Sequence, residues 1–345
     1  MLTNRLMQQR LAAIFALIAF GILVLWSLNW RAAPAGGGND ARITFQIATG
    51  PGGGTFFAIG QAIAGLVSHP PGVGRCETST VCAPAGVILS ARTAQSSFDN
   101  LRAVNSGLVE SALVQADMAD AAVRGQGLFR RFGPQRNLRV IAALFPEDVH
   151  LVAAARSGIA DLRDLNRRRV WLGAPDTDAG ITARRILAAN RISVRPMVSD
   201  DPAASLADGK LDAYFLTAAA PYGVVAESLA DGKARLVPIA GPAVERLLRQ
   251  EPQLQNDTIA ATAYPGLPAT ETIATRTLWV VNARASDALV YGIARALFNP
   301  ANREALAASH PSAYQISESR AVLELPAQLH NGARRYYRES GTLAR

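Results

Sequence analysis

The sequence predicts an α/β protein with two α/β lobes, preceded by one N-terminal hydrophobic helix. Three observations carry this. Strand-like and helix-like segments alternate along the chain, and the β-α-β-α-β series restarts near the middle. An uncharged apolar run stands at the N-terminus behind Arg5 and Arg10. The 345 residues allow two or three domains, and 49% apolar against 18% charged residues excludes a disordered chain.

The apolar run extends from Leu11 to Trp26 and on through Leu28 to Trp30. Its length fits an export signal or a single membrane anchor over 11–30. Ala33-Pro34-Ala35 offers a small-residue cleavage site, weakened by its proline, so cutting and anchoring both stay open. The basic side stays in the cytoplasm and the remainder is exported to the periplasm. Residues 1–30 are thus signal or anchor, and 31–41, with Gly36-Gly37-Gly38, a linker. Export favours a disulfide between Cys76 and Cys82; two free thiols are the alternative. A bridge over so short a loop fixes local shape more than it stabilises the fold.

The first series begins with a strand, Ile43–Ala48, and the turn Gly50-Pro-Gly-Gly-Gly-Thr55. A helix follows over 56–67, with apolar residues at helical spacing. Then come a strand at 87–91, a helix from Phe98 to Ser106 stopped by Gly107, a strand at 111–115 and a helix from Asp117 to Gly125. Leu138–Phe145 and Val149–Ala155 read as two strands meeting at Pro146. The second series runs through strands at 169–173, 194–198, 211–216 and 235–239. Helices at 159–165, 181–190, 203–207 and 222–229 alternate with them. Both sheets are expected to be mostly parallel. The tail from Asp287 to Tyr337 is chiefly helical, broken at Pro300, Pro311 and Pro326.

Composition and motifs exclude several chemistries. Two cysteines and four scattered histidines cannot build a Cys-rich zinc site, and HExxH, GxSxG and CxxC are absent. Neither Lys210 nor Lys233 completes a phosphate loop. The net charge of +8 is carried almost wholly by arginine. Three arginines precede residue 36, which leaves +5 on the rest and calls for no nucleic acid. No cofactor and no metal are expected.

The strand-to-helix turn at 50–55 gathers backbone N–H groups at a helix N-terminus, a place for a small carboxylate or simply a tight turn. Ser96-Ser97, Gln115-Ala116-Asp117 and Asp176-Thr177-Asp178-Ala179 occupy equivalent junctions. Each reads as a cleft wall or as an ordinary helix cap. Trp171 reads as core packing, and His150 as a structural histidine.

The order of short motifs then resembles the TAXI proteins, the solute receptors of one class of tripartite ATP-independent periplasmic (TRAP) transporters. The motifs are Thr49-Gly-Pro-Gly-Gly-Gly-Thr-Phe-Phe-Ala-Ile-Gly60, Ser97-Phe-Asp-Asn-Leu101, Val114-Gln-Ala-Asp117 and Leu144-Phe-Pro-Glu-Asp-Val-His150. Asp164-Leu-Asn-Arg-Arg-Arg-Val170, Asp208-Gly-Lys-Leu-Asp-Ala213, Thr262-Ala-Tyr-Pro-Gly266 and Val290-Tyr-Gly-Ile continue the series. The match covers about 42–340; each motif alone is weak, and their number and order make the set specific.

The resemblance implies a periplasmic-binding-protein type II fold. Residues 42–146 and 256–345 would form lobe 1, and 147–255 lobe 2. It implies a monomer that captures a small organic anion, such as glutamate or 2-oxoglutarate, and delivers it to TRAP membrane subunits. A membrane-tethered sensor or ABC-associated binding protein of the same fold is the alternative, and neither is an enzyme. Ligand contacts would come from Thr49, Gly53, Gly54, Thr55, Phe56, Ser96, Ser97, Gln115 and Asp117. Asp176, Thr177, Asp178 and Ala179 would supply the second lobe's share.

The sequence departs from the family at several of these positions. Phe56-Phe57 replace aromatic hydroxyls, Ser96-Ser97 a Gly-Ser pair, and Thr177-Asp178-Ala179 a Ser-Gly-Thr turn. A Gly usual before the Pro221 motif is Ala219 or Ala220. Asp178 sets a negative charge where an acidic ligand would sit, which favours a ligand with an amine, a hydroxyl or a larger apolar part.

Overall fold

The computed structural model describes residues 42–77 and 80–344. The N-terminal signal or anchor and the linker expected over 1–41 lie outside them. Among the described residues no helix is long and apolar enough to cross a membrane.

The chain builds one mixed sheet with helices on its faces. Its first part comprises β1 (Ile43–Ala48), α1 (Thr55–Val67), α2 (Gly74–Glu77), β2 (Val87–Arg92), α3 (Ser97–Ser106), β3 (Ser111–Gln115) and α4 (Ala116–Arg124). The long β4 (Leu138–Ala154) leads to β5 (Arg169–Trp171), α5 (Asp178–Ala189), β6 (Arg195–Met197), α6 (Pro202–Ala207) and β7 (Ala213–Ala218). Then follow α7 (Gly223–Ala230), β8 (Ala234–Leu236), α8 (Pro242–Gln250) and β9 (Leu254–Ile259). The long β10 (Thr270–Asn282), α9 (Asp287–Leu297), α10 (Pro300–Ala307) and α11 (Asn331–Glu339) close the fold.

The strand order is β2-β1-β3-β10-β4-β7-β5-β6, with β9 added to β10 and β8 to β4. β4 and β10 belong to two half-sheets at once. Residues 138–143 of β4 lie against 278–282 of β10 beside β3. Residues 148–153 pair with β7, and residues 270–275 of β10 pair with β9. Each half has its own packing. Phe45, Ile59, Ile63, Leu113 and Trp279 are buried in the first; Leu151, Ile186, Phe215, Val244 and Ile273 in the second.

Two expectations change. The sheet is mixed rather than mostly parallel, because β10 runs antiparallel to β3 and β4, and β4 to β7. Pro146 does not separate two strands: β4 runs through it, with Pro146 opposite Arg276. A proline fits there because the β10 register shifts between Arg276 and Leu278, where ladder pairing is already interrupted. Near the first half, the disulfide joins Cys76 to Cys82 at an S–S distance of 2.09 Å, packed with Val73 and Val81.

Candidate functional site

The parallel strands β1, β2 and β3 of one half, and β5 and β7 of the other, end beside a common cleft of about 310 Å³. Ligands in open α/β sheets bind at the carboxyl ends of strands. The first half contributes Thr49, Gly50 and Pro51, the α1 start at Gly54, Thr55 and Phe56, the α3 start at Gln95, Ser96 and Ser97, and Gln115 at the end of β3. Glu147 sits where β4 passes between the halves. The second half contributes Trp171, Gly173, Ala174, the α5 start at Thr177, Asp178 and Ala179, the end of β7 at Leu216, Thr217 and Ala218, and Tyr222.

Most residues named from the sequence therefore meet here. Gly53 and Asp176 lie on exposed turns outside the lining, and Asp117 lies buried behind it. Glu147, Leu216, Thr217 and Tyr222 were not foreseen as contacts. Trp171, read as packing, is a partly exposed wall residue that also touches the core. Glu147 stands inside the Leu144–His150 motif, so an acid in an otherwise apolar strand was the signal available for it.

Local sequence explains how the walls are held. Ser96 caps α3 by accepting from the Asp99 N–H at 3.2 Å, and Thr177 caps α5 by accepting from the Gly180 N–H at 3.3 Å. The N-terminus of α1 has no side-chain cap. Gly60 lets α1 sit down on Thr49, since a Cβ there would come within 2.6 Å of the Thr49 methyl. Asn100 donates to the Thr49 and Leu113 carbonyls at 2.7 and 3.0 Å, tying α3 to the ends of β1 and β3.

A row of hydrogen bonds crosses the cleft. The Ser97 hydroxyl accepts from the Gln115 N–H at 3.0 Å and donates to Asp178 Oδ2 at 2.5 Å. The Ser97 N–H donates to the same oxygen at 3.1 Å. Gln115 Nε2 donates to Glu147 Oε2 at 2.7 Å. Behind this row, Asp117 accepts from Arg185 at 3.1 Å and from the Thr275 hydroxyl at 3.2 Å. Ser97–Asp178 and Asp117–Arg185 each join one half to the other.

The electrostatics are set by burial. Desolvation pushes Glu147 up to about 8; the Gln115 bond opposes this, and the charges of Asp178, Asp117 and Asp148 add to it. Asp178 is pushed up to about 6, again mainly by burial and against the Ser97 bonds. Burial also raises Asp117, although Arg185 pulls it back. Among the described residues no Lys or Arg lines the cleft. The surplus positive charge of the chain lies elsewhere.

Within β4, His150 is fully buried, and burial lowers its pKa to about 4. Its Nδ1 donates to the Asp148 carbonyl at 3.0 Å, and its Nε2 accepts from the Tyr264 hydroxyl at 2.9 Å. Tyr264 in turn accepts from the Tyr222 N–H at 3.0 Å. Both ring nitrogens are thus engaged, which leaves no lone pair for base chemistry.

Solved structures of related shape include MatC from Rhodopseudomonas palustris with bound malate, at 13% identity and a TM-score of 0.49, covering 87% of this chain and 98% of that one. A TctC solute binding protein from Polaromonas, without ligand, matches at 14% identity and 0.47, covering 89% and 100%. The periplasmic aliphatic sulphonate binding protein SsuA from Escherichia coli matches at 14% and 0.41, covering 78% and 79%. In sequence, residues 47–341 match the NMT1-like family, a span holding the cleft and both long strands. The chain belongs to the NMT1-like family.

Proposed function

We propose that the protein is an exported solute receptor that captures one small organic molecule in the cleft between its two half-sheets. The observation that carries this is the lining itself. It is a concave space of about 310 Å³ that mixes apolar wall residues with buried polar groups left without partners: Thr55 Oγ1, Gln115 Oε1, Asp178 Oδ1 and Thr217 Oγ1. Unpaired buried polar atoms are costly, and a ligand that satisfies them recovers that cost. The uncapped N-terminus of α1 offers N–H groups to a carboxylate or other acceptor on the same molecule.

In this reading the two halves are lobes that close on the solute, turning where β4 and β10 pass between them. Lobe 1 is 42–146 with the C-terminal part, and lobe 2 begins at 147. The pairing of β9 with residues 270–275 and the packing of Leu254 and Ile273 with the second core support drawing lobe 2 to include them, beyond the boundary at 255. Delivery to TRAP membrane subunits, as the TAXI-like motifs imply, completes the proposal, with the hydrophobic N-terminus as signal or anchor. Thermal-shift screening of organic acids, amino acids, amines and sulfonates tests the binding role. A ligand at a hundred times its Kd should add about 2.7 kcal/mol of stability, whereas a folded protein that no class stabilises would contradict it.

A further inference from the structure

We infer that the ligand of this cleft carries a protonated amine, received by the carboxyl groups of Asp178 and Glu147 together with the side-chain carbonyl of Gln115. The inference rests on the receptor reading and names its substrate class. Four observations on the lining carry it.

Three donors of the hydrogen-bonded row are turned towards its acids. The Ser97 hydroxyl, the Ser97 N–H and Gln115 Nε2 all point their hydrogens at the two acids. The atoms of this row left without partners are acceptors: Gln115 Oε1 and Asp178 Oδ1, both buried. Gln115 itself is 3% exposed. An ammonium group brings three donors and no acceptor, the complement of this set. A carboxylate brings acceptors only and would leave the same atoms unpaired.

The charge argues in the same direction. Among the described residues two carboxyl groups line the cleft and no Lys or Arg does; Arg185 is held by Asp117, outside the lining, with Glu251 at 3.6 Å. The lining also holds the apolar and aromatic side chains of Phe56, Trp171, Leu216 and Tyr222, beside the hydroxyls of Thr55 and Thr217. Such a wall suits a carbon skeleton, and its ring faces tolerate a neighbouring cation.

The linkage has a definite sign. Burial holds Glu147 near 8 and Asp178 near 6, so at neutral pH Glu147 mostly carries a proton. An arriving cation favours the ionised acids and expels that proton. Affinity for an amine therefore rises with pH between 6 and 8.5. A dicarboxylate requires both acids neutral, so its affinity falls over the same range and its binding takes protons up.

The test is isothermal titration of the purified protein with two matched series, at pH 6 and pH 8, in buffers of different ionisation enthalpy. One series is putrescine, 4-aminobutyrate and succinate; the other is phenethylamine, L-phenylalanine and phenylacetate. Members with an amine should bind about tenfold or more tighter at pH 8 than at pH 6, with proton release. Succinate and phenylacetate should bind at least a hundredfold more weakly. Asp178→Asn and Glu147→Gln should each weaken amine binding tenfold or more and reduce the proton release, with unliganded melting temperatures no lower than wild type. Tight binding of the carboxylate-only members, with proton uptake, overturns the amine assignment and leaves the receptor reading standing. Binding of no member, and none in the wider screen by correctly folded protein, overturns the receptor reading as well.

Discussion

Both ring nitrogens of His150 are satisfied inside the protein, which gives it a measurable signature. Its pKa is near 4 when folded and about 6.5 when unfolded. Above pH 6.5 both states are neutral and its contribution is whole. As pH falls from 6.5 towards 4 only the unfolded chain takes up the proton, and on the order of 3 kcal/mol is lost. Urea unfolding of wild type and His150→Ala between pH 7.5 and 4.5 checks this. The variant should be less stable at pH 7.5 by about 2–4 kcal/mol, and the gap should narrow on acidification. Glu147 behaves oppositely. Its folded pKa near 8 lies above the unfolded value, so the proton-bound form supports folding below about pH 4.3, and this support is lost as pH rises through 8. Glu147→Gln keeps an acceptor for Gln115 Nε2 and should be more stable than wild type at pH 8.5, with the difference fading near pH 4. At this scale the sequence was only partly legible. Ser97, Gln115 and Asp178 stood at recognisable strand-to-helix junctions. Glu147 and Tyr222 reach the cleft only because β4 crosses between the half-sheets and β7 ends there, which residue type alone does not reveal.

At the scale of elements, α5 depends on Gly180. A Cβ at that position would collide with the Ala174 carbonyl, so an alanine must push the start of the helix off its turn. Gly180→Ala should therefore destabilise by about 1–3 kcal/mol, despite alanine's better helix propensity. By moving Asp178 it should also weaken ligand binding more than an equally destabilising core change elsewhere, as titration calorimetry would show. The helices and short parallel strands were readable because their apolar periodicity and caps are local. The long strand β10 was not placed, although Thr270–Asn282 is rich in β-branched residues and carries Trp279. Its antiparallel partners β3, β4 and β9 lie far away in sequence, so its role in joining the halves is a property of pairing and not of pattern. Pro146 misled for a similar reason, since a proline ordinarily ends a central strand and only the shifted register of β10 accommodates it. The Cys76–Cys82 bridge closes a short loop. Replacing both cysteines by serine should cost about 2 kcal/mol on the chain-entropy model, read from chemical denaturation, and leave ligand affinity within twofold.

Across the whole molecule, the positive charge surveyed in the sequence and the acidic character of the cleft point in different directions. The net charge of +8 is spread over arginines, whereas the binding space is lined by Asp178 and Glu147. Composition therefore describes the surface and says little about the site. The two halves are held across the cleft by Ser97–Asp178 and by Asp117–Arg185, the latter with Asp117 almost fully buried. Removing Arg185 leaves that carboxylate uncompensated, and opening the cleft would rehydrate it. Arg185→Met should thus increase the radius of gyration of the unliganded protein in small-angle X-ray scattering, and saturating ligand should reverse much of the increase. The central claim is that one small solute occupies the cleft lined by Gln115, Glu147 and Asp178. Native mass spectrometry of the purified protein, beside an Ala174→Trp variant whose new ring fills the cleft mouth, tests it most directly. The account predicts a one-to-one complex with a small amine-bearing molecule in the wild type, absent from the variant. An adduct that persists undiminished in folded Ala174→Trp protein would contradict it.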